Sequence, residues 1–299
     1  MKQQIKSSLI LLLTATIWGV AFVAQSVGME YIGPFTFNAI RCVLGGMVLI
    51  PVILVLKKKK ETGAENQEKE DKKTLWMGGI ACGVILCIAS NLQQFGIMEA
   101  SVGKSGFFTA LYIVMIPVIG IFIGKRPGIK LWFCVALAVV GMYLLCMKDG
   151  SFTIERADIM LLLCALAFSF HILVVDYFSP KVDGAKMSCI QFFVCGVLSA
   201  VGMLFTETPD ISNIQAAWLP LLYAGLLSCG VGYTLQIVGQ KGINPVIASL
   251  IMSLESVISA LAGWVILGQV LSPKEILGCV LMFVAIIITQ IPIGNKKTD

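Results

Sequence analysis

Charge is what this sequence has least of. Only 13% of its 299 residues are Asp, Glu, Lys or Arg, against roughly 25% in an ordinary soluble domain. With 58% hydrophobic residues and a mean hydropathy of +0.91, the chain cannot hide its apolar surface in one water-soluble core, so lipid is its expected solvent. Histidine occurs once, at His171, and the ten cysteines include no C-x-x-C pair. This excludes the usual zinc spacings and leaves the cysteines, most of them inside apolar runs, as small packing residues. No G-x-S-x-G or H-E-x-x-H occurs. Gly103-Lys104-Ser105 has the ending of a phosphate-binding loop, but Met98 stands where that motif needs its first glycine. No catalytic pair, cofactor or metal site is therefore expected. Nucleic acid is not an expected partner either, because the net charge of +5 is accounted for by loop placement.

Long hydrophobic runs fill the space that charge leaves. A span takes about 20 apolar residues, and the runs place spans at 7–27, 34–56, 75–97, 103–123, 129–147, 157–177, 187–206, 217–239, 246–267 and 273–292. The runs do not alternate, so an all-α membrane protein of ten transmembrane helices is expected rather than a barrel. The first run carries Trp18 and Gln25 and has no clear small-residue cleavage site, so it is read as a retained helix.

Basic residues collect on the cytoplasmic side of a membrane. With the N-terminus inside, seventeen of the 22 Lys and Arg fall in inner segments, including Lys57–Lys60, Lys125, Arg126, Lys181, Lys241, Lys296 and Lys297; four fall outside, and Arg41 lies within a span. Both termini are thus expected in the cytoplasm, and the mixed-charge stretch 57–73 is expected to be a solvated cytoplasmic linker. A cell membrane, in particular a bacterial inner membrane, is the expected location.

The halves 1–147 and 148–299 resemble each other. Leu11–Gly46 overlays Leu161–Gly196 at an offset of 150, placing Trp18 on Phe168 and Arg41 on Gln191. Leu92-Gln93 and Gly96 match Leu235-Gln236 and Gly239 at 143. Five spans per half would set the second upside down relative to the first. Two inverted five-helix repeats can exchange roles and open a midplane site to either side in turn, which is the architecture of a transporter.

Polar groups inside spans are costly and face a cavity or one another. Thr14, Trp18, Ala21 and Gln25 share a helix face, as do Cys164, Phe168, His171 and Val175. Asn38 neighbours Arg41; Asn91, Gln93 and Gln94 end the third span; Ser105, Phe108, Thr109 and Tyr112 share a side of the fourth; Tyr233, Gln236 and Gln240 line the eighth. Trp18, Asn38, Asn91, Gln94, Tyr112, His171, Tyr233, Gln236 and Glu255 are the expected cavity residues. Glu255 stands near mid-membrane, where a lone carboxylate takes a proton or a cation. Arg41, His171 and Glu255 are accordingly the candidates for an ion pair or for proton coupling. A structural lock between Arg41 and Glu255 and a functional role for either remain open readings. Gly79/Gly83 and Gly120/Gly124 are G-x-x-x-G pairs expected at close helix contacts, with a Ser249, Ser253, Ser256, Ala260, Gly263 stripe in the ninth span.

The segments Ile17-Trp18-Gly19-Val20-Ala21-Phe22 and Pro34-Phe35-Thr36-Phe37-Asn38-Ala39-Ile40-Arg41 resemble the opening of EamA-type members of the drug/metabolite transporter superfamily. Ser90–Gly96, Phe108–Tyr112 with Pro117, Leu254–Val257 and Leu267-Gly268-Gln269 extend the resemblance over nearly the whole chain. It implies two inverted repeats around a central cavity and the movement of small metabolites, often amino acids, commonly driven by protons or another gradient. Gln269, where many members have Glu, and Lys125-Arg126, in place of a familiar Gly-Glu, depart from the pattern. The expected function is secondary active export of amino-acid-type metabolites, with lipid, a small-molecule substrate and protons as partners. The alternatives are a phosphorylated-sugar or nucleotide-sugar carrier, or a membrane-embedded enzyme or scaffold. Monomer and homodimer are both open.

Overall fold

The computed structural model describes residues 2–62, 71–100, 102–124, 127–146, 155–268 and 272–290, and among these it is helical with no strand. In order come α1 (Lys2–Gly28), α2 (Pro34–Thr62), α3 (Lys72–Glu99), α4 (Val102–Phe122) and α5 (Ile129–Cys146). Then follow α6 (Arg156–Phe178), α7 (Gly184–Thr206), a short helix at Ile211–Ala216, α8 (Trp218–Gln240), α9 (Pro245–Ile266) and α10 (Pro273–Gln290). Among the described residues eight helices, α1–α4 and α6–α9, are long and apolar enough to cross a membrane; the apolar stretches of α5 and α10, Ile129–Gly141 and Ile276–Ile288, are shorter. Each of the ten runs expected from the sequence falls on one of these helices. The middle of the charged stretch (63–70), Lys125-Arg126, Lys148, Gln269, Lys296 and Lys297 lie outside the described residues.

Helix ends are set by local chemistry, because the first amides of a helix have no partner within it. Asp183 accepts from the amides of Ala185 and Lys186 at the start of α7, at 3.0 and 3.3 Å. Asn244 caps α9 through the Val246 amide at 2.9 Å, with Pro245 at the first helical position. The start of α2 is capped from far away in sequence: the amides of Phe35 and Thr36 each donate to the Glu207 carboxylate at 2.9 Å, just past the end of α7. At the start of α6, Lys104 from α4 pairs with Glu155 and Asp158 at 2.8 and 2.9 Å.

The packing follows a pattern. α2 crosses α7, and α5 lies on α10. α3 runs beside α6 and α7, α8 beside α1 and α2; α1 meets α9, and α4 meets α6. Exchanging α1–α5 for α6–α10 leaves this set of pairs unchanged. Absent side chains allow the closest approaches. A Cβ on Gly46 would stand 3.0 Å from Phe193, and one on Gly196 3.0 Å from Val43. A Cβ on Gly96 would stand 2.5 Å from Leu161, and one on Gly239 2.9 Å from Leu11. Gly79 and Gly83 do make a close contact, against Ile190 and Val194 of α7. Gly124 does not: it has φ of +80° with nothing near its Cβ position, so it ends α4 in the left-handed conformation instead of packing a helix face.

Candidate functional site

α4 and α9 both change step near mid-length, and the site is built on those two breaks. In α4 the bonds tighten to the third residue at Leu111, whose amide donates to the Phe108 carbonyl at 3.2 Å. In α9 the Ser253 hydroxyl takes the Leu250 carbonyl at 2.8 Å, and the Leu254 amide turns to the Ile251 carbonyl at 3.2 Å. Serine hydroxyls competing for ladder carbonyls loosen a helix in this way. Tyr112 and Glu255 are the first residues of the two segments that follow the breaks. A carboxylate at a helix N-terminus sits at the positive end of the peptide dipoles, a favourable place for an anion in lipid. The Tyr112 hydroxyl donates to Glu255 Oε1 at 2.9 Å.

These two side chains help to line a cavity between α1, α2, α3, α4, α6, α8 and α9. Its aromatic wall is Trp18, Phe22, Phe168 and Tyr233; its polar groups include Gln25, Arg41, Gln93, Thr109, Gln236 and Glu255. The Trp18 and Tyr233 rings are 4.6 Å apart at 54°, and Trp18 Nε1 donates to the Ser228 carbonyl at 3.3 Å. The cavity volume is about 30 Å³, room for about two waters. A metabolite needs more room than this, so the helices have to part to admit it.

Arg41 and Glu255 line the same cavity but do not pair with each other. Arg41 Nη1 donates to Gln25 Oε1 at 2.8 Å, its guanidinium lies 5.6 Å from the centre of the Phe37 ring, and its Nε has no hydrogen-bond partner. Arg41 is 3% exposed and Glu255 4%. A buried cation and a buried carboxylate held apart, each on a neutral partner, leave their mutual attraction unspent. A ligand carrying both signs of charge can collect it.

Of the residues singled out from the sequence, Trp18, Arg41, Tyr112, Tyr233, Gln236 and Glu255 meet at the cavity. Asn38, Asn91, Gln94 and His171 are buried but stand outside its wall. Asn38 Nδ2 donates to Asn91 Oδ1 at 2.9 Å, and Asn91 Nδ2 donates to Ser199 Oγ at 3.0 Å, a chain that ties α2 and α3 to α7. His171 Nε2 sits 3.1 Å from Gln191 Oε1, joining α6 to α7. Gln94 has neither amide atom partnered. Gln25, Gln93, Thr109 and Phe168, polar or aromatic members of the same apolar runs, line the cavity as well. Ser228 carried no signal, because it contributes its main-chain oxygen.

Comparison with known proteins agrees with this architecture. The EamA-like transporter family matches the chain twice, over residues 5–147 and 155–291. An uncharacterized transporter of Archaeoglobus fulgidus is 27% identical over 282 residues, covering 94% of this chain and 84% of the relative. The uncharacterized transporter YwfM of Bacillus subtilis is 23% identical, over 97% and 96% of the two chains. A solved crystal structure with 17% identity superimposes with a TM-score of 0.76 over 95% of this chain and 96% of its own, a likeness of fold. With both halves matched and relatives aligned nearly end to end, the chain belongs to the EamA-like transporter family of multi-pass membrane proteins.

Proposed function

We propose that this protein is a secondary active transporter that exports zwitterionic metabolites of the amino-acid type across the cell membrane in exchange for protons. The observation that carries the reading is the separated pair: Arg41 and Glu255 line one cavity without bonding to each other. The substrate's carboxylate takes Arg41, which can grip it with two parallel N–H donors. Its ammonium takes Glu255, and its side chain lies on Trp18, Phe168 and Tyr233.

The same carboxylate supplies the coupling. Glu255 cannot hold a proton and the substrate's ammonium together, so loading one releases the other. Protons entering down their gradient then discharge substrate on the outer side. The scaffold for this is ten transmembrane helices in two inverted five-helix repeats, 1–147 and 148–299, with both termini cytoplasmic. The exchange-invariant helix pairing and the loop charges support that arrangement. Rocking one repeat against the other opens the cavity to each side in turn. A phosphorylated-sugar or nucleotide-sugar carrier is disfavoured by the wall itself, where Arg41 is the single cation facing one carboxylate.

Counterflow of labelled amino acids in sealed liposomes, with and without a pH gradient, tests the reading. Zwitterions should exchange, and an outward-acid gradient should drive them. Glu255→Gln should lose the gradient response. Normal rates with unchanged pH dependence in that variant would remove Glu255 from the coupling.

A further inference from the structure

α3 and α8 flank the cavity from opposite halves and make equivalent contacts at both ends, yet they hold different numbers of residues between those contacts. A Cβ on Gly83 would stand 2.6 Å from Val194 and 2.8 Å from the Gln191 carbonyl; one on Gly225 would stand 2.8 Å from Leu44 and 3.2 Å from the Arg41 carbonyl. Leu44 and Arg41 precede Val194 and Gln191 by 150 positions, the offset that overlays α1–α2 on α6–α7. Farther along, Gly96 abuts Leu161 and Gly239 abuts Leu11, again 150 apart. But 13 positions separate Gly83 from Gly96, and 14 separate Gly225 from Gly239. One residue is extra in α8.

The backbone shows where it went. Tyr223–Tyr233 is a π-helix, the form a helix takes when it absorbs an inserted residue without breaking, and one found often at functional sites. Gly45 meets Cys229, and at the equivalent place Cys195 meets Cys87, still at the shorter offset. The insertion therefore lies beyond Cys229 and before Gln236. That stretch is the aromatic wall of the cavity. The Tyr233 ring lies tilted against Trp18, and a Cβ on Gly232 would stand 2.7 Å from the indole Nε1. One residue fewer would turn Tyr233 by about 100° relative to the start of the helix.

We infer that the inserted residue is a specificity determinant: by forcing the π-helical turn it sets the Trp18–Tyr233 wall that receives the apolar side chain of the substrate. This rests on the reading of the cavity as the substrate site. It explains why only the second half carries the distortion, since α3 presents Gln93 to the cavity from a regular helix.

Deleting Val231, which is 39% exposed on the outer surface of α8, shortens the π-helical turn by one residue without removing a side chain that lines the cavity; deleting Ile88, at the matching place in α3 and 52% exposed, is the control. Both full-length variants are purified, melted, and assayed for inhibition by amino acids of rising side-chain size, by amines and by carboxylic acids. ΔVal231 should stay monodisperse with a wild-type melting temperature while ΔIle88 does not, and its preference for large over small apolar ligands should shift by at least about tenfold. Instability of ΔVal231 equal to that of ΔIle88 overturns the insertion. A stable ΔVal231 with the wild-type preference overturns the role in specificity. So does a stable ΔVal231 that binds nothing, because the charged pair it retains should still hold small zwitterions. If the wild type prefers amines or acids to zwitterions, the proposed substrate class fails on its own, and the size preference is read on those ligands instead.

Discussion

The two halves of the molecule are alike where they pack and unlike where they face the cavity. Gly46 on Phe193 is matched by Gly196 on Val43, and Gly96 on Leu161 by Gly239 on Leu11. The paired amides Gln93 and Gln236 recur in both halves of the wall, but the charged groups are not duplicated. Arg41 aligns with Gln191, which is turned to His171, and Glu255 stands in the second half alone. The start of α7 is capped by its own Asp183, whereas the start of α2 borrows Glu207 from the other half. A duplicated scaffold can exchange conformations because its contacts are interchangeable. Chemistry that tells one ligand or one side from another has to be present once, as Arg41 and Glu255 are in this cavity.

The largest effect should come from the unduplicated cation. Arg41→Gln should lower exchange at least about 100-fold, the cost of removing one partner from a buried charge pair, while Gln191→Ala, at the aligned position, should leave binding within a few-fold. Equal losses at both would break the contrast. Next, Gly83→Leu and Gly225→Leu should be equivalent. Each forces a side chain into a helix crossing and should cost about 1–3 kcal/mol, read as matched drops in melting temperature, while Gly103→Ala, with open space around it, should cost little. A large disparity between the two would say that the halves do not share their packing. Tyr112→Phe removes the hydroxyl that holds Glu255 and should weaken exchange by about tenfold, the worth of one hydrogen bond to a charged group. The smallest effect should be Glu207→Ala, which uncaps α2 and should cost about 1 kcal/mol, seen as a modest loss of thermal stability with transport retained.

Much of this was legible in the sequence. The ten apolar runs all fall on helices, since hydropathy reports directly on what lipid tolerates. Trp18, Tyr112, Tyr233, Gln236, Arg41 and Glu255 were found because polar or aromatic groups in apolar runs need a common interior. Asn38, Asn91 and His171 share that signature but bond to one another or to Gln191 across helix contacts. Composition cannot separate a polar lock from a polar cavity wall. The break in α9 and the π-helical turn of α8 are hidden for another reason: the first involves a serine hydroxyl that takes a ladder carbonyl, the second a one-residue difference between halves. Gly120 with Gly124 shows the reverse error, a packing spacing spent on a helix terminus.

The central claim is that the substrate bridges Arg41 and Glu255. The most direct measurement is counterflow by the wild-type protein in liposomes, with a labelled amino acid competed by its own unlabelled form, by the amine lacking the carboxylate, and by the acid lacking the ammonium. The account predicts that the zwitterion competes at least about 100-fold better than either analogue, since each leaves one buried charge unmatched. An analogue with a single charge that competes as well as the zwitterion would contradict it.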